Sequence, residues 1–146
     1  FALNRLGLVN ARVFNGSQAD KMKYNINNFA SRIVMTDKNN LAVLSEIIAD
    51  TKVEAVIVMS DCEDSLWEEF EAKHPQIRLV SYQQVLEKGK IYKESFEETV
   101  SSEDLASILY TSGSSGEPKP ISIPNRVYTN MVDVVCKTTN IVKCDG

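Results

Sequence analysis

Residues 53–60, VEAVIVMS, hold Val56, Ile57, Val58 and Met59 in one unbroken apolar run. In an extended chain, successive side chains point to opposite faces. Such a run is apolar on both faces and needs cover on both. That pattern belongs to a parallel sheet packed between helices, not to a one-sided antiparallel sheet. The neighbouring sequence supplies the cover. "NNLAVLSEIIADT" before the run places Leu41, Leu44, Ile47 and Ile48 on one helical face, with Asn39 or Asn40 as the expected N-cap. "DSLWEEFEAKHP" after it turns Leu66, Trp67 and Phe70 inward and its acids outward, and Pro75 ends it. "RIVMTD" reads as a short buried strand and "IRLVSY" as a third strand. "SYQQVLEKG" reads as a short helix that Gly89 can cap. The alternation predicts an α/β fold with a mostly parallel sheet flanked by helices.

The ends of the chain fit this reading. "FALNRLGL" puts Leu3 and Leu6 on one helical face, with Gly7 as the stop. "VNARVF" alternates Val9, Ala11 and Val13 as a half-buried strand would. A turn at Gly16 and Ser17 follows, and Met22, Ile26 and Phe29 recur at helical spacing. Residues 90–104 change character, with four Glu and one Asp between Glu94 and Asp104, and read as a solvated acidic connector. "LASILYT" is then a strand, "PISIPN" a second extended piece, and "NRVYTNMVDVVCKTT" a helix aligning Val127, Met131, Val134 and Val135. Pro120 and Pro124 limit the second strand to an edge or a strand end. The expected organisation is an alternating α/β part over residues 1–89, the connector over 90–104, and a strand–loop–strand–helix part over 105–146.

Composition excludes several classes. The 146 residues suffice for one domain with a real core. A net charge of −4 with no basic patch argues against nucleic acid or an anionic membrane as partner. No apolar run approaches the about 20 residues of a transmembrane helix. The opening "FALNRLGLVN" lacks the basic-then-apolar pattern of a signal peptide. It also lacks an initiator Met, so the chain is expected to be part of something longer. Cys62, Cys136 and Cys144, an odd number without CxxC spacing, predict reduced thiols and a cytoplasmic setting. A single His with scattered Cys offers no zinc site. His74, before Pro75, is expected at the surface, closing a helix. Tryptophan can stack on an adenine, but the helical spacing of Trp67 with Leu66 and Phe70 assigns it to the core.

The candidate site is "YTSGSSGEPKP", residues 110–120. Five consecutive residues, Ser112, Gly113, Ser114, Ser115 and Gly116, are only Ser and Gly. By composition the stretch is a flexible linker, but it lies between two strand patterns, which makes it a structured turn. A phosphate chain presents anionic oxygens that are held by backbone N–H groups, hydroxyls and a cation. Gly113 and Gly116 let the backbone approach closely, and consecutive N–H groups can form an anion nest. Thr111, Ser112, Ser114 and Ser115 offer hydroxyls, and Lys119 offers a point charge. Hydrogen bonds to charged groups contribute about 1.5–3 kcal/mol each. Neither GxxxxGK[ST] nor GxGxxG fits the stretch.

"ILYTSGSSGEPKP" resembles the phosphate-loop signature of the acyl-adenylate-forming superfamily, which includes acyl-CoA synthetases, luciferases and the adenylation domains of peptide synthetases. The family form is Tyr-Thr-Ser-Gly-[Ser/Thr]-[Ser/Thr]-Gly-x-Pro-Lys-Gly. Tyr110 through Lys119 match every position, and Pro120 replaces the last Gly. A weaker resemblance extends over most of the chain in the order of its elements, with Pro124 and Asn125 where the family has a Ser-His-like pair. The resemblance implies an ATP- and Mg²⁺-dependent enzyme that joins a small-molecule carboxylic acid to AMP and then, in many members, to coenzyme A. It implies that Thr111, Ser112, Gly113, Ser114, Ser115, Gly116 and Lys119 contact the β- and γ-phosphates. It also implies that the catalytic Lys, the Mg²⁺-binding Glu and the acyl pocket lie after Gly146. The expected parent is a fatty-acid–CoA ligase. The alternatives are a non-catalytic protein that keeps the fold, or an adenylation domain loading a carrier protein.

Overall fold

The computed structural model describes residues 2–13, 18–92, 100–111 and 119–139. It falls into two compact units, one of Val13–Glu94 and one of Phe1–Arg12 with Ser95–Gly146. The fold is α/β.

The Val13–Glu94 unit is built on a three-stranded parallel sheet. Its strands are β2 (Ile33–Thr36), β3 (Ala55–Val58) and β4 (Arg78–Ser81), with β3 in the centre. Ile33 pairs with Ala55 and Ala55 with Arg78, and the register runs without a break to Thr36, Val58 and Ser81. The connections are helical. Helix α3 (Lys38–Ile47), with a 3₁₀ turn at Ile48–Asp50, links β2 to β3, and α4 (Asp64–Lys73) links β3 to β4. Helix α2 (Ala19–Asn28) packs beside α3, and α3 beside α4. Parallel neighbours need such crossovers, because a hairpin reverses direction.

The core joins helix stripe to sheet face. Leu41, Leu44, Ile47 and Ile48 meet Val56, Val58, Leu79, Phe70, Met22 and Ile26, all of them buried. Leu66 and Trp67 are partly buried against this cluster, which places Trp67 where its spacing predicts. Cys62 packs there as well, and burial pushes its thiol pKa up. The opposite face of the sheet carries Ile33, Met35, Ala55, Ile57 and Val80, exposed or half-buried.

Four local expectations change. The "RIVMTD" strand is half exposed, because β2 lies at the sheet edge. The N-cap of α3 is Asp37, not Asn39 or Asn40: its side chain accepts from the Asn40 N–H at 3.1 Å. Gly89 ends nothing, because α5 (Tyr82–Ile91) runs through it. His74 does close α4, but it is buried.

The second unit holds α1 (Ala2–Arg5), β1 (Asn10–Ala11), β5 (Leu105–Thr111), β6 (Lys119–Pro124) and α6 (Asn125–Thr139). Gly7, with φ of 67°, ends α1 as expected. The N–H groups of Gly7 and Leu8 donate to the carbonyls of Asn4 and Leu3, which forms a Schellman turn. The sheet order is β1-β5-β6, with β1 parallel and β6 antiparallel to β5. Only two residues of "VNARVF" are strand, and Val9 is exposed. The amides of Asn4 and Asn10 donate to the Ala106 carbonyl at 3.3 and 3.0 Å. These bonds tie the segment leading into β1 to the middle strand. No helix among the described residues is long and apolar enough to cross a membrane.

Candidate functional site

The candidate loop is the connection of the β5–β6 hairpin. Strand β5 is the middle strand, with Ala106, Ser107 and Tyr110 buried. Strand β6 is an edge, as its two prolines require. The register pairs Ser107 with Ile123, Ile108 with Ser122, Leu109 with Ile121, Tyr110 with Pro120, and Thr111 with Lys119. The last described residues on either side of the loop are therefore direct partners. The Thr111 hydroxyl donates to the Lys119 carbonyl at 3.4 Å. Ser112, Gly113, Ser114, Ser115 and Gly116 lie outside the described residues, and so does Pro118.

Thr111 and Lys119 are both exposed at the loop end of the hairpin. Among the described residues, no carboxylate lies within ion-pair distance of the Lys119 ammonium. Its charge is thus not spent on a described neighbour. One hydroxyl and one ammonium are thus brought to a single end of the hairpin, the hydroxyl's one proton shared with the Lys119 carbonyl.

The opposite end of the hairpin is fastened to the first turn of α6. The backbone N–H of Asn125 donates to the Asp104 carbonyl at 3.0 Å, and that of Arg126 to the Ser102 carbonyl at 2.9 Å. The Asn125 amide donates to the Ser101 carbonyl at 3.1 Å. Arg126 pairs with Glu103 at 3.0 Å on the surface. Ser107 Oγ and the Tyr128 hydroxyl share a hydrogen bond of 2.5 Å. Composition does not single out these residues. The one signal for them is Ser107 itself, a small polar residue inside the apolar strand "LASILYT".

A magnesium ion prefers several hard oxygen ligands in an octahedral arrangement. Among the described residues there is no group of three or more His, Cys, Asp or Glu placed to hold a metal. The acids of the connector that are described serve structure instead. Asp104 accepts from the Ser101 N–H at 2.8 Å, and Glu103 pairs with Arg126.

The AMP-binding enzyme family matches residues 1–145. A curated relative, fatty acyl-CoA synthetase B of Dictyostelium discoideum, is 33% identical over 73 residues, which is 49% of this chain and 10% of that protein. Among solved structures, the adenylation domain of a carboxylate reductase from Mycobacterium chelonae superposes with a TM-score of 0.76 at 18% identity, covering 87% of this chain and 21% of that one. The adenylation–carrier didomain of a carboxylic acid reductase from Segniliparus rugosus, solved with AMP, gives 0.73 at 20% identity, over 86% of this chain and 19% of that one. A long-chain-fatty-acid–CoA ligase from Archaeoglobus fulgidus gives 0.65 at 20% identity, over 94% and 24%. The chain spans about a tenth of the length of the curated relative and about a fifth of these solved chains.

Proposed function

This chain belongs to the AMP-binding enzyme family, and we propose that it forms part of the large N-terminal domain of an enzyme that activates a carboxylic acid with ATP. In that reaction a carboxylate oxygen attacks the α-phosphorus of ATP. The bond from the α-phosphorus to the bridging oxygen breaks, and pyrophosphate leaves with the electron pair. The product is an acyl-AMP. In a CoA ligase the thiolate of coenzyme A then attacks the acyl carbon, and AMP leaves.

The observation that carries this reading is the pairing of Thr111 with Lys119 at the mouth of a Ser/Gly loop. The part assigned to this chain is to hold the β- and γ-phosphates while the α-phosphorus is attacked. On nucleotide binding, Thr111 turns its hydroxyl proton from the Lys119 carbonyl to a phosphate oxygen, and Lys119 offsets phosphate charge. Ser112, Gly113, Ser114, Ser115 and Gly116 complete the cradle with hydroxyls and N–H groups. Positioning and charge neutralisation are what phosphoryl and nucleotidyl chemistry needs from a protein. Among the described residues no group of three or more His, Cys, Asp or Glu is placed to hold a metal, and the Mg²⁺-binding carboxylate is assigned to another part of the full-length protein. The remaining catalytic groups are assigned to other parts of the full-length protein.

The relative from Dictyostelium favours a fatty acid as substrate and coenzyme A as acceptor. A second reading rests on the reductase adenylation domains, whose backbones superpose with the higher TM-scores. In that reading the acyl group passes to a carrier protein instead. ATP–pyrophosphate exchange by the full-length protein with a panel of carboxylic acids tests the activation step. Exchange with at least one acid is expected, and exchange with none would sink the enzyme reading in favour of a non-catalytic relative. Release of AMP that depends on added coenzyme A then separates the ligase from the carrier-loading enzyme. The 146-residue chain alone is expected to show no exchange.

A further inference from the structure

The β5–β6 hairpin is held unevenly along its length. Beside the loop, Pro120 faces Tyr110 and contributes no N–H to the ladder, and Pro124 contributes none at the other end. Among the described residues, strand β6 has no neighbour on its outer side. The register also shifts between Leu105 and Ser107, where the ladder is irregular. An edge strand with two prolines has fewer N–H groups to hold its register, and the helix it runs into supplies a second constraint.

That helix is fastened at two depths. The bonds of Asn125 and Arg126 to Ser101, Ser102, Glu103 and Asp104 lie near the surface. The Ser107–Tyr128 bond is different. Ser107 is 0% exposed in the middle strand, and Tyr128 is half-buried on the first turn of α6. It reaches past the bulge and joins the strand leading into the loop to the helix that follows the strand leaving it. A buried hydroxyl requires a partner, so Ser107 selects the one placement of α6 in which the Tyr128 hydroxyl arrives. Strand β6 is the short segment between that helix and the loop. Its register sets which residue stands opposite Thr111, and in the structure it is Lys119.

We propose that Ser107 and Tyr128 are positioning residues that lock the register of β6 and so place Lys119 opposite Thr111 at the mouth of the nucleotide loop. They touch no nucleotide, and their effect on catalysis passes through Lys119. This inference rests on the proposed activation of a carboxylate by ATP, and it adds residues outside the loop to that site.

The test uses the full-length protein with Ser107→Ala, Tyr128→Phe and the double variant. Two readouts are taken: steady-state exchange kinetics, and hydrogen–deuterium exchange of a peptide covering residues 119–124. Tyr128→Phe strands a fully buried Ser107 hydroxyl, whereas Ser107→Ala leaves the half-buried Tyr128 hydroxyl near water. The phenylalanine variant is therefore expected to be the more affected. KM for ATP should rise by about 5–20-fold, with KM for the acid and kcat within about twofold, because nucleotide binding is what is lost. The double variant should be no worse than Tyr128→Phe, because both changes remove one interaction. The residue 119–124 peptide should exchange faster, while a peptide covering β2 should not change. A lower melting temperature with unchanged KM for ATP would overturn the proposal and leave the pair a purely structural contact. Additive effects of the two substitutions would overturn it as well. Absence of exchange activity in the wild-type protein would remove the parent reading and this inference with it, and that result differs from normal wild-type exchange with insensitive variants.

Discussion

His74 closes α4 with its ring buried, its Nε2 2.9 Å from Ser45 Oγ on α3 and its ring centroid 4.9 Å from that of Phe70. The Ser45–His74 bond ties two helices over the core they share. Ser45→Ala leaves a buried ring nitrogen without that partner, a change that costs about 1–3 kcal/mol. The expected outcome is a lower denaturant midpoint at unchanged slope. An unchanged midpoint would mean that the bond contributes nothing to stability. A His-Pro pair marks where a helix ends and so points to the surface. It carries no information about what lies above that end. Ser45, 29 residues away along the chain, supplies the hydrogen-bond partner of the buried ring. Trp67 shows the reverse case. Its neighbours at helical spacing belong to its own helix, so its place against the core was readable locally.

Two non-terminal positions show how backbone conformation decides the sign of the same exchange. Ala30 follows α2 with φ of 48°, in the left-handed region, and is exposed. The N–H groups of Ala30 and Ser31 donate to the carbonyls of Asn27 and Ile26, forming a Schellman turn in which glycine is the usual residue. Ala30→Gly relieves about 1–2 kcal/mol of left-handed cost, against about 0.5–1 kcal/mol for the added freedom of glycine. A net gain of about 0.5 kcal/mol is expected. Gly89 lies inside α5, and a Cβ built there meets nothing within 4 Å. Gly89→Ala is expected to add about 0.5–1 kcal/mol. Thermal or urea unfolding of the two single variants checks both signs, and a loss at either position would refute the corresponding argument. Gly89 looked like a helix stop because it follows "QQVLEK" directly. The helix passes through it because Ser81 and Gln84 form a capping box that starts α5 firmly, and nothing at residue 89 requires positive φ. The N-cap of α3 was misplaced for a related reason. Asp37, Asn39 and Asn40 are all good caps, and only the direction in which the chain leaves β2 selects Asp37.

At the scale of the whole molecule, the loop is the part of the chain to which the proposed function assigns ATP. Removing the Lys119 ammonium should weaken use of ATP by the full-length protein without unfolding it. A charge-assisted contact of about 1.5–3 kcal/mol corresponds to about a 10–150-fold loss in kcat/KM for ATP. Lys119→Ala is expected to show that loss with a melting temperature close to wild type. Unchanged kinetics would mean that the loop has been assigned the wrong role. The same logic applies to Ser114→Ala, whose position is known from the sequence alone.

The sequence by itself determined the class of the fold, and it carries the motif on which the proposed role of the loop rests. Both are local signals: an apolar run between two amphipathic helical stretches, and a string of residue types matched position by position from Tyr110 to Lys119. Only the tertiary structure decided which strands are edges, that β5 pairs parallel with β1 and antiparallel with β6, and that Thr111 faces Lys119. It alone brought Ser107 to Tyr128 and Ser45 to His74. The physical reason is the range of the interactions. Periodicity and turn chemistry act over a few residues and are written along the chain. Strand order, register and the partner of a buried hydroxyl are set by contacts between segments distant in sequence, and a single side chain carries no record of them until the chain has closed on itself.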